Sequence, residues 1–228
     1  ALEAKRALRE DLRLLVMSAT LDGEPVAALL DGAPVVTSEG RAFPVETRWV
    51  DPAPWRTIEE AVAATVRRAL GEDEGDVLVF LPGGREIRRV AERLADLDPV
   101  LPLYGDLPQA AQDAAIRPDP YGRRKIVLAT SIAETSLTIE GVRVVIDSGL
   151  ARVPRFDPRT GMTRLETVKA SRAAADQRRG RAGRLAPGVC WRLWTEREHR
   201  LRPAQSTPEI READLAPLAL ELVLWGTA

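Results

Sequence analysis

Several stretches of this chain are nearly continuous apolar runs of strand length, among them Asp76–Leu81, Lys125–Thr130 and Val142–Asp147. Such runs fit strands buried on both faces; a half-exposed strand would alternate apolar with polar. Val100–Tyr104 and Gly188–Trp194 read as two more strands. Segments of helical period lie between them. In Gly84–Leu97 the apolar residues Ile87, Val90, Ala91, Leu94 and Leu97 recur along one helical face. Thr57 with Glu60 forms a capping-box pattern opening a helix through Leu70 that stops at Gly71. Proline at the start favours a helix over Pro108–Ile116. Strand–helix alternation predicts an α/β fold, a parallel sheet with helices on both faces and ligands at the carboxyl ends of its strands.

The ends of the chain read differently. Leu12–Met17 is a short apolar run suited to a buried strand, with a helix over Glu24–Leu30 and an extended segment near Val35 and Val36 after it. Residues 37–56 carry Pro44, Pro52 and Pro54, which predicts a crossing linker with a strand around Val45–Val50. In 150–169, Val153, Phe156, Met162, Leu165 and Val168 are spread around the turn sequence Asp-Pro-Arg-Thr-Gly at 157–161, the pattern of a projecting β-hairpin. Residues 208–225 form a mostly apolar helical pattern behind Pro208. The chain starts at alanine in the middle of a pattern and closes on an unfinished helix, so it reads as a fragment.

Composition narrows the chemistry. Net charge is −1, so contact with a nucleic acid must come from a local patch. One such patch exists: between Arg164 and Arg184 seven basic residues face Glu166 and Asp176 alone. The single cysteine, Cys190, excludes an internal disulfide and suits a reducing cytoplasm. The single histidine, His199, excludes a histidine-rich metal site and reads as a surface helix residue. No apolar run approaches the roughly 18 residues that span a bilayer. Asp147, ending an apolar strand, reads as a cap for the next turn rather than a catalytic acid. The tryptophans at 49, 55, 191, 194 and 225 are too widely spread for a base-stacking platform and read as core or domain-contact residues.

Residues 177–184, Gln-Arg-Arg-Gly-Arg-Ala-Gly-Arg, carry the most information. Four arginines and two glycines make a poor core segment but present guanidinium groups well to a polyphosphate. With Ser171 capping a helix that runs to about Arg181, Gln177, Arg181 and Arg184 fall on one face. Arg178 and Arg179 point elsewhere and suit internal ion pairs. Upstream, Thr130 and Ser131 end an apolar strand where hydroxyls and free backbone N–H groups face a cleft. The alternative for any single hydroxyl is a local cap or a strand-end hydrogen bond, a weaker reading for the set together.

Together these segments resemble a known family. Residues 18–20 (Ser-Ala-Thr), 77–82, 129–139 (Ala-Thr-Ser-Ile-Ala-Glu-Thr-Ser-Leu-Thr-Ile) and 177–184 follow the order and spacing of helicase motifs III to VI. The last two are similar to the DEAH-box branch of superfamily 2, and 205–210 with the 215–225 helix are similar to its bacterial HrpB-type members. The resemblance implies a RecA-like second motor domain over 41–204, the tail of the first RecA-like domain over 1–40, and the start of a winged-helix region over 205–228. It implies an ATP-dependent RNA helicase using ATP and Mg²⁺, with the first RecA-like domain of the same chain as partner and single-stranded RNA, or DNA, as track. It assigns Arg181 and Arg184 as fingers on the γ-phosphate and Gln177 to orienting the attacking water. Ser136 becomes a nucleotide sensor, and Thr138 and Glu140 neighbours of ribose and phosphates. Ser18 and Thr20 fall to coupling. Thr130 and Ser131 become backbone contacts to the nucleic acid, and Phe156 and Arg159 hairpin-tip contacts. Where relatives stack an aromatic on adenine, this chain has Ile116, which weakens base stacking.

No lysine follows a glycine, and the one Asp-Glu pair, Asp73 with Glu74, lacks a following histidine, so the phosphate-cradling loop and the Mg²⁺-binding Asp-Glu-x-His motif are absent from these residues. Half of a nucleotide site is expected here, and no metal site. A non-catalytic nucleic-acid-binding scaffold is the alternative, disfavoured because a scaffold needs none of Gln177, Arg181 and Arg184.

Overall fold

The computed structural model describes residues 11–17, 23–37, 43–51, 55–134 and 138–226, and separates into two units, Ala1–Arg41 and Ala42–Ala228. In the first unit helix α1 covers Gly23–Leu29. Leu12–Met17 is irregular, with Leu15, Val16 and Met17 exposed, so the strand expected there is not formed. A lone apolar run has no backbone partners, and none of the described residues of this unit supplies a neighbouring strand.

The second unit is built on six strands, β1 (Val45–Trp49), β2 (Asp76–Phe80), β3 (Val100–Leu103), β4 (Ile126–Ala129), β5 (Val142–Asp147) and β8 (Gly188–Arg192). They form one parallel sheet in the order β1-β8-β5-β2-β4-β3. Alternate residues of the central strands feed two cores, as a sheet covered on both faces requires. Val77, Val79, Leu128, Ile146 and Trp191 pack on one face under helices α2 (Ile58–Glu72) and α3 (Gly84–Arg93). Leu78, Phe80, Val127, Val145 and Cys190 pack on the other with Ala115 of helix α4 (Gln109–Ile116) and with Ala133 and Ala182 from two short turns. Burying one Val, Leu or Ile side chain is worth roughly 1.5–3 kcal/mol. These two layers therefore hold the unit together.

Helix ends depart from the sequence pattern. Thr57 Oγ1 accepts the Glu60 N–H at 3.2 Å, but the Glu60 carboxylate takes the Arg56 N–H at 3.1 Å, so only half of the capping box forms. Helix α2 passes through Gly71 and ends at Glu72. Helix α3 stops at Arg93, although Leu94 and Leu97 still pack into the core beyond its end.

Between β5 and β8 the chain leaves the sheet as a two-stranded antiparallel ribbon, β6 (Leu150–Asp157) and β7 (Met162–Lys169). Isolated ribbons are marginal in water, so this one depends on its anchors. The buried Arg202 donates from Nη1 to the carbonyls of Gly149 at 2.7 Å and Ala170 at 2.9 Å, clasping both feet of the ribbon. Farther out, the Phe156 N–H donates to Glu212 O at 3.0 Å and Arg155 pairs with Glu212 at 3.2 Å. The 208–225 pattern resolves into a short turn at Glu209–Arg211 and helix α7 (Ala216–Leu224), with Pro217 in its first turn and Trp225 exposed after it.

Helix α5 (Arg172–Gly180) packs on β5 and β1, and helix α6 (Glu196–Leu201) follows β8. His199 in α6 is half-buried, which corrects its reading as a surface residue. Its ring lies 5.2 Å from that of Trp49 and 6.2 Å from that of Trp194. Arg192 Nη1 stands 3.4 Å from Nε2. A guanidinium only donates, so Nε2 accepts and the ring is the neutral Nδ1–H tautomer. Burial, then the charge of Arg192, lowers the His199 pKa from its ordinary 6.5. The folded protein therefore binds fewer protons than the unfolded chain between that depressed pKa and 6.5. Stability is full above this window and falls as pH drops through it. We expect the urea midpoint to fall more between pH 7.5 and 5.5 for the wild type than for His199→Gln. Equal acid losses in the two proteins would remove His199 as the cause.

Candidate functional site

On the β2 and β5 face of the sheet two segments distant in sequence meet. The first leaves β4 at Thr130, half-buried, whose N–H donates to Leu103 O at 3.2 Å, and turns through Ser131–Ala133 to Glu134. The second is α5 with the arginine segment behind it. Ser171 caps α5 as predicted, its hydroxyl accepting the Ala174 N–H at 3.2 Å. The α-helix stops at Gly180, and Arg181–Gly183 continue as a tighter 3-10 turn. Three residues per turn brings side chains at i and i+3 into line, so Arg181 and Arg184 lie on one side of this turn. Gly183 makes this turn possible: a Cβ there would stand 2.5 Å from Phe43 O. At Gly180, by contrast, a Cβ would meet nothing within 4 Å.

The four arginines take different environments. Arg178 is fully buried. Its Nη2 pairs with Glu134 Oε1 at 2.6 Å and its Nη1 with Asp147 Oδ1 at 2.8 Å. Nη1 also donates to Leu150 O at 3.1 Å, and the group lies 5.2 Å from the Phe80 ring centre. Burial opposes its charge, but Asp147 and Glu134 outweigh that and its pKa is raised. Asp147 is the strand-end cap the sequence suggested, accepting the Gly149 N–H at 2.8 Å, and a buried counter-ion as well. Arg179 donates to Val45 O at 2.7 Å.

Arg181 is buried too, and its Nε donates to Glu134 O at 2.9 Å, with Nη2 on the same carbonyl. Burial, then the nearby charge of Arg184, holds its pKa down to about 10, so it is still a cation at neutral pH. Arg184 is exposed and donates from Nη1 to Thr138 Oγ1 at 2.7 Å. Arg181 and Arg184 line one shallow depression with Leu78, Ala133, Ile139 and Val142. An anion entering it would relieve the mutual repulsion of the two guanidiniums and meet their fixed N–H donors.

Gln177 is half-buried on α5 one turn before Arg181. Glu140 is exposed at the turn before β5. On the hairpin, Phe156 sits on β6 opposite Thr163, set back from the turn and half-buried, while Arg159 in the turn is exposed beside Asp157. The expectation that both occupy the tip therefore applies to Arg159 only. Ser18, Thr20 and Ser136 lie outside the described residues. Sequence reasoning gave Glu134 no role, although its carboxylate and its carbonyl each hold an arginine. The signal was present: an arginine destined for burial requires a carboxylate, and Glu134 is the one acid in the hydroxyl-rich stretch 129–139. Among the described residues no three His, Cys, Asp or Glu side chains gather as a metal site. The depression combines two guanidinium groups with four apolar side chains.

A six-stranded parallel sheet covered by helices, with a basic segment packed against a hydroxyl-bearing loop, defines the class. Residues 60–186 match the helicase conserved C-terminal domain, and the chain belongs to that family, with an α/β RecA-like fold. Among characterised relatives, the chain is 50% identical to the ATP-dependent RNA helicase HrpB of Escherichia coli over 99% of its own length and 28% of that protein. It is 40% identical to the pre-mRNA-splicing factor ATP-dependent RNA helicase prp22 of Schizosaccharomyces pombe, covering 96% of this chain and 20% of that one. The crystal structure of the Escherichia coli DEAH/RHA helicase HrpB superposes with a TM-score of 0.91 at 51% identity, over 99% of this chain and 29% of that one. The chain thus spans less than a third of these relatives.

Removing one member of a buried ion-pair cluster leaves the others uncompensated, at a cost of about 3–5 kcal/mol. Arg178→Met should lose stability on that scale in urea unfolding. A loss below about 1 kcal/mol would mean that Glu134 and Asp147 do not need it.

Proposed function

We propose that this chain is the second motor lobe of an ATP-dependent RNA helicase. In this reading ATP binds between it and a first RecA-like domain of the same polypeptide, where hydrolysis drives movement along a nucleic-acid strand. The observation that carries the reading is the convergence of the 130–140 loop with the arginine segment, which places Arg181 and Arg184 on one depression. The relatives matched over nearly the whole of this chain are named as RNA helicases, and RNA is carried over on that ground. Residues 1–40 are then the tail of the first domain, 41–204 the second, and 205–228 the start of a winged-helix region.

Phosphoryl transfer to water accumulates charge on the γ-phosphate oxygens, and arginines supplied from a second domain accelerate such reactions by about 10³–10⁵. Arg184, exposed at the mouth of the depression, takes that role. Arg181 joins it by exchanging the Glu134 carbonyl for a phosphate oxygen, and Gln177 orients the attacking water. Ser136 senses the nucleotide, and Thr138 and Glu140 lie beside ribose and phosphates. Ser18 and Thr20 couple the two domains. Thr130 and Ser131 hold the nucleic-acid backbone, and Phe156 and Arg159 touch it from the hairpin, chiefly through phosphate and sugar without sequence readout. ATP brings Mg²⁺, whose ligands belong to the other domain.

In the full-length protein, Arg184→Ala should lower kcat for ATP by about 100-fold or more while nucleotide affinity changes only a few-fold. The isolated 228-residue chain should hydrolyse ATP negligibly. Unchanged turnover in the variant, or RNA-stimulated turnover by the isolated chain, would refute the split site.

A further inference from the structure

The ribbon β6–β7 has no sheet neighbour, and seven of the eight residues of β7 are exposed. Beyond the Phe156–Glu212 backbone bond its direction is set by side chains, and one contact ties it to the helix after β2. Arg152 Nη2 lies 3.3 Å from Glu86 Oε1 in the first turn of α3, and 3.5 Å from Thr167 Oγ1 on the opposing strand. One guanidinium thus bridges both strands of the ribbon to the helix that leaves the carboxyl end of β2. The backbone leaves room for it: a Cβ at Gly83 would stand 2.6 Å from Arg152 Nη1. Gly83 has φ −168°, open to any residue, so the glycine serves the approach of the guanidinium rather than the backbone.

The pair is built to be remade. It is a single contact between half-shielded groups, with side-chain exposures of 30% for Arg152 and 14% for Glu86. Glu86 Oε2 and Arg152 Nε are buried and form no hydrogen bond in this state. At the feet of the ribbon, by contrast, Arg202 is buried and holds two carbonyls. The ribbon thus has a firm hinge at its base and a breakable stay two residues beyond it.

We propose that Arg152–Glu86 is a positioning contact that couples the angle of the hairpin to the loop after β2, so that motion of that loop is transmitted to the strand-contacting ribbon. This rests on the helicase reading above. Arg152 and Glu86 touch no substrate in it, so their loss should uncouple unwinding from hydrolysis rather than abolish hydrolysis.

The test uses the full-length protein and the variants Arg152→Glu, Glu86→Arg and the double charge swap. Amide hydrogen exchange across 150–157 reads the contact itself. Strand displacement on an RNA duplex with a single-stranded overhang, and RNA-stimulated ATP hydrolysis, read its consequence. Each single variant should exchange faster in the ribbon and unwind at least about fivefold more slowly, with hydrolysis within about twofold of wild type. The double swap should restore both exchange and unwinding. Unchanged ribbon exchange in the single variants, or unwinding that stays at the wild-type rate, would overturn the proposal, as would a swap that fails to rescue. A wild-type protein with no RNA-dependent hydrolysis would instead overturn the helicase reading, and the exchange arm would still decide whether the stay exists.

Discussion

A positive charge with no access to water sits at the centre of this domain, and the surrounding segments are arranged by the need to neutralise it. Arg178 collects Glu134 from the loop after β4, Asp147 from the end of β5 and the Leu150 carbonyl from the first residue of the hairpin. Stripping water from such a group costs several kcal/mol, and only a complete set of partners offsets that. Each partner is the terminal residue of an element or lies in a turn, where it has little other reason to occupy one place. The cluster therefore acts less as a source of stability than as a joint that fixes where three loops begin.

From that joint the division of labour in the arginine segment follows. Arg178 and Arg179 face inward onto the sheet, and their targets are fixed groups, a pair of carboxylates and the Val45 carbonyl. Arg181 is held by the backbone of Glu134, whose side chain Arg178 has already pinned. Arg184 lies beyond the 3-10 turn and reaches Thr138 at the surface. Within seven residues the segment thus holds both a wholly buried guanidinium, Arg178, and an exposed one, Arg184.

Strand positions were legible in the sequence because a parallel sheet buried on both faces writes itself as unbroken apolar runs, and β5 matches its run end to end. Ser171 and the hairpin were legible for the same local reason, a cap or turn chemistry that involves only near neighbours. What escaped depends on distant partners. The end of α3 at Arg93 precedes residues that continue the apolar period and pack anyway, so periodicity alone overran it. Leu12–Met17 has strand composition, but none of the described residues pairs with it. His199 looked like one more residue of a charged helix until Trp49, 150 positions earlier in the chain, closed over it. Of the candidate site, the residue types and their grouping were readable. The inward turn of Arg181 and the double duty of Glu134 were not, since both arise from a contact between segments 47 residues apart.

The parked position of Arg181 has a consequence for any anion that uses the depression. Its guanidinium is desolvated and shares space with a second cation, which already weakens its hold on its proton. A neutral carbonyl is a weaker acceptor than a phosphate oxygen, because hydrogen bonds between two charged groups are roughly twice as strong as neutral ones. The exchange of Glu134 O for phosphate is therefore downhill for Arg181. It also frees a carbonyl belonging to the residue whose side chain is bound to Arg178, and Arg178 in turn holds the first carbonyl of the hairpin. Arg181, Glu134 and Arg178 therefore form one run of direct contacts from the depression to the root of the ribbon.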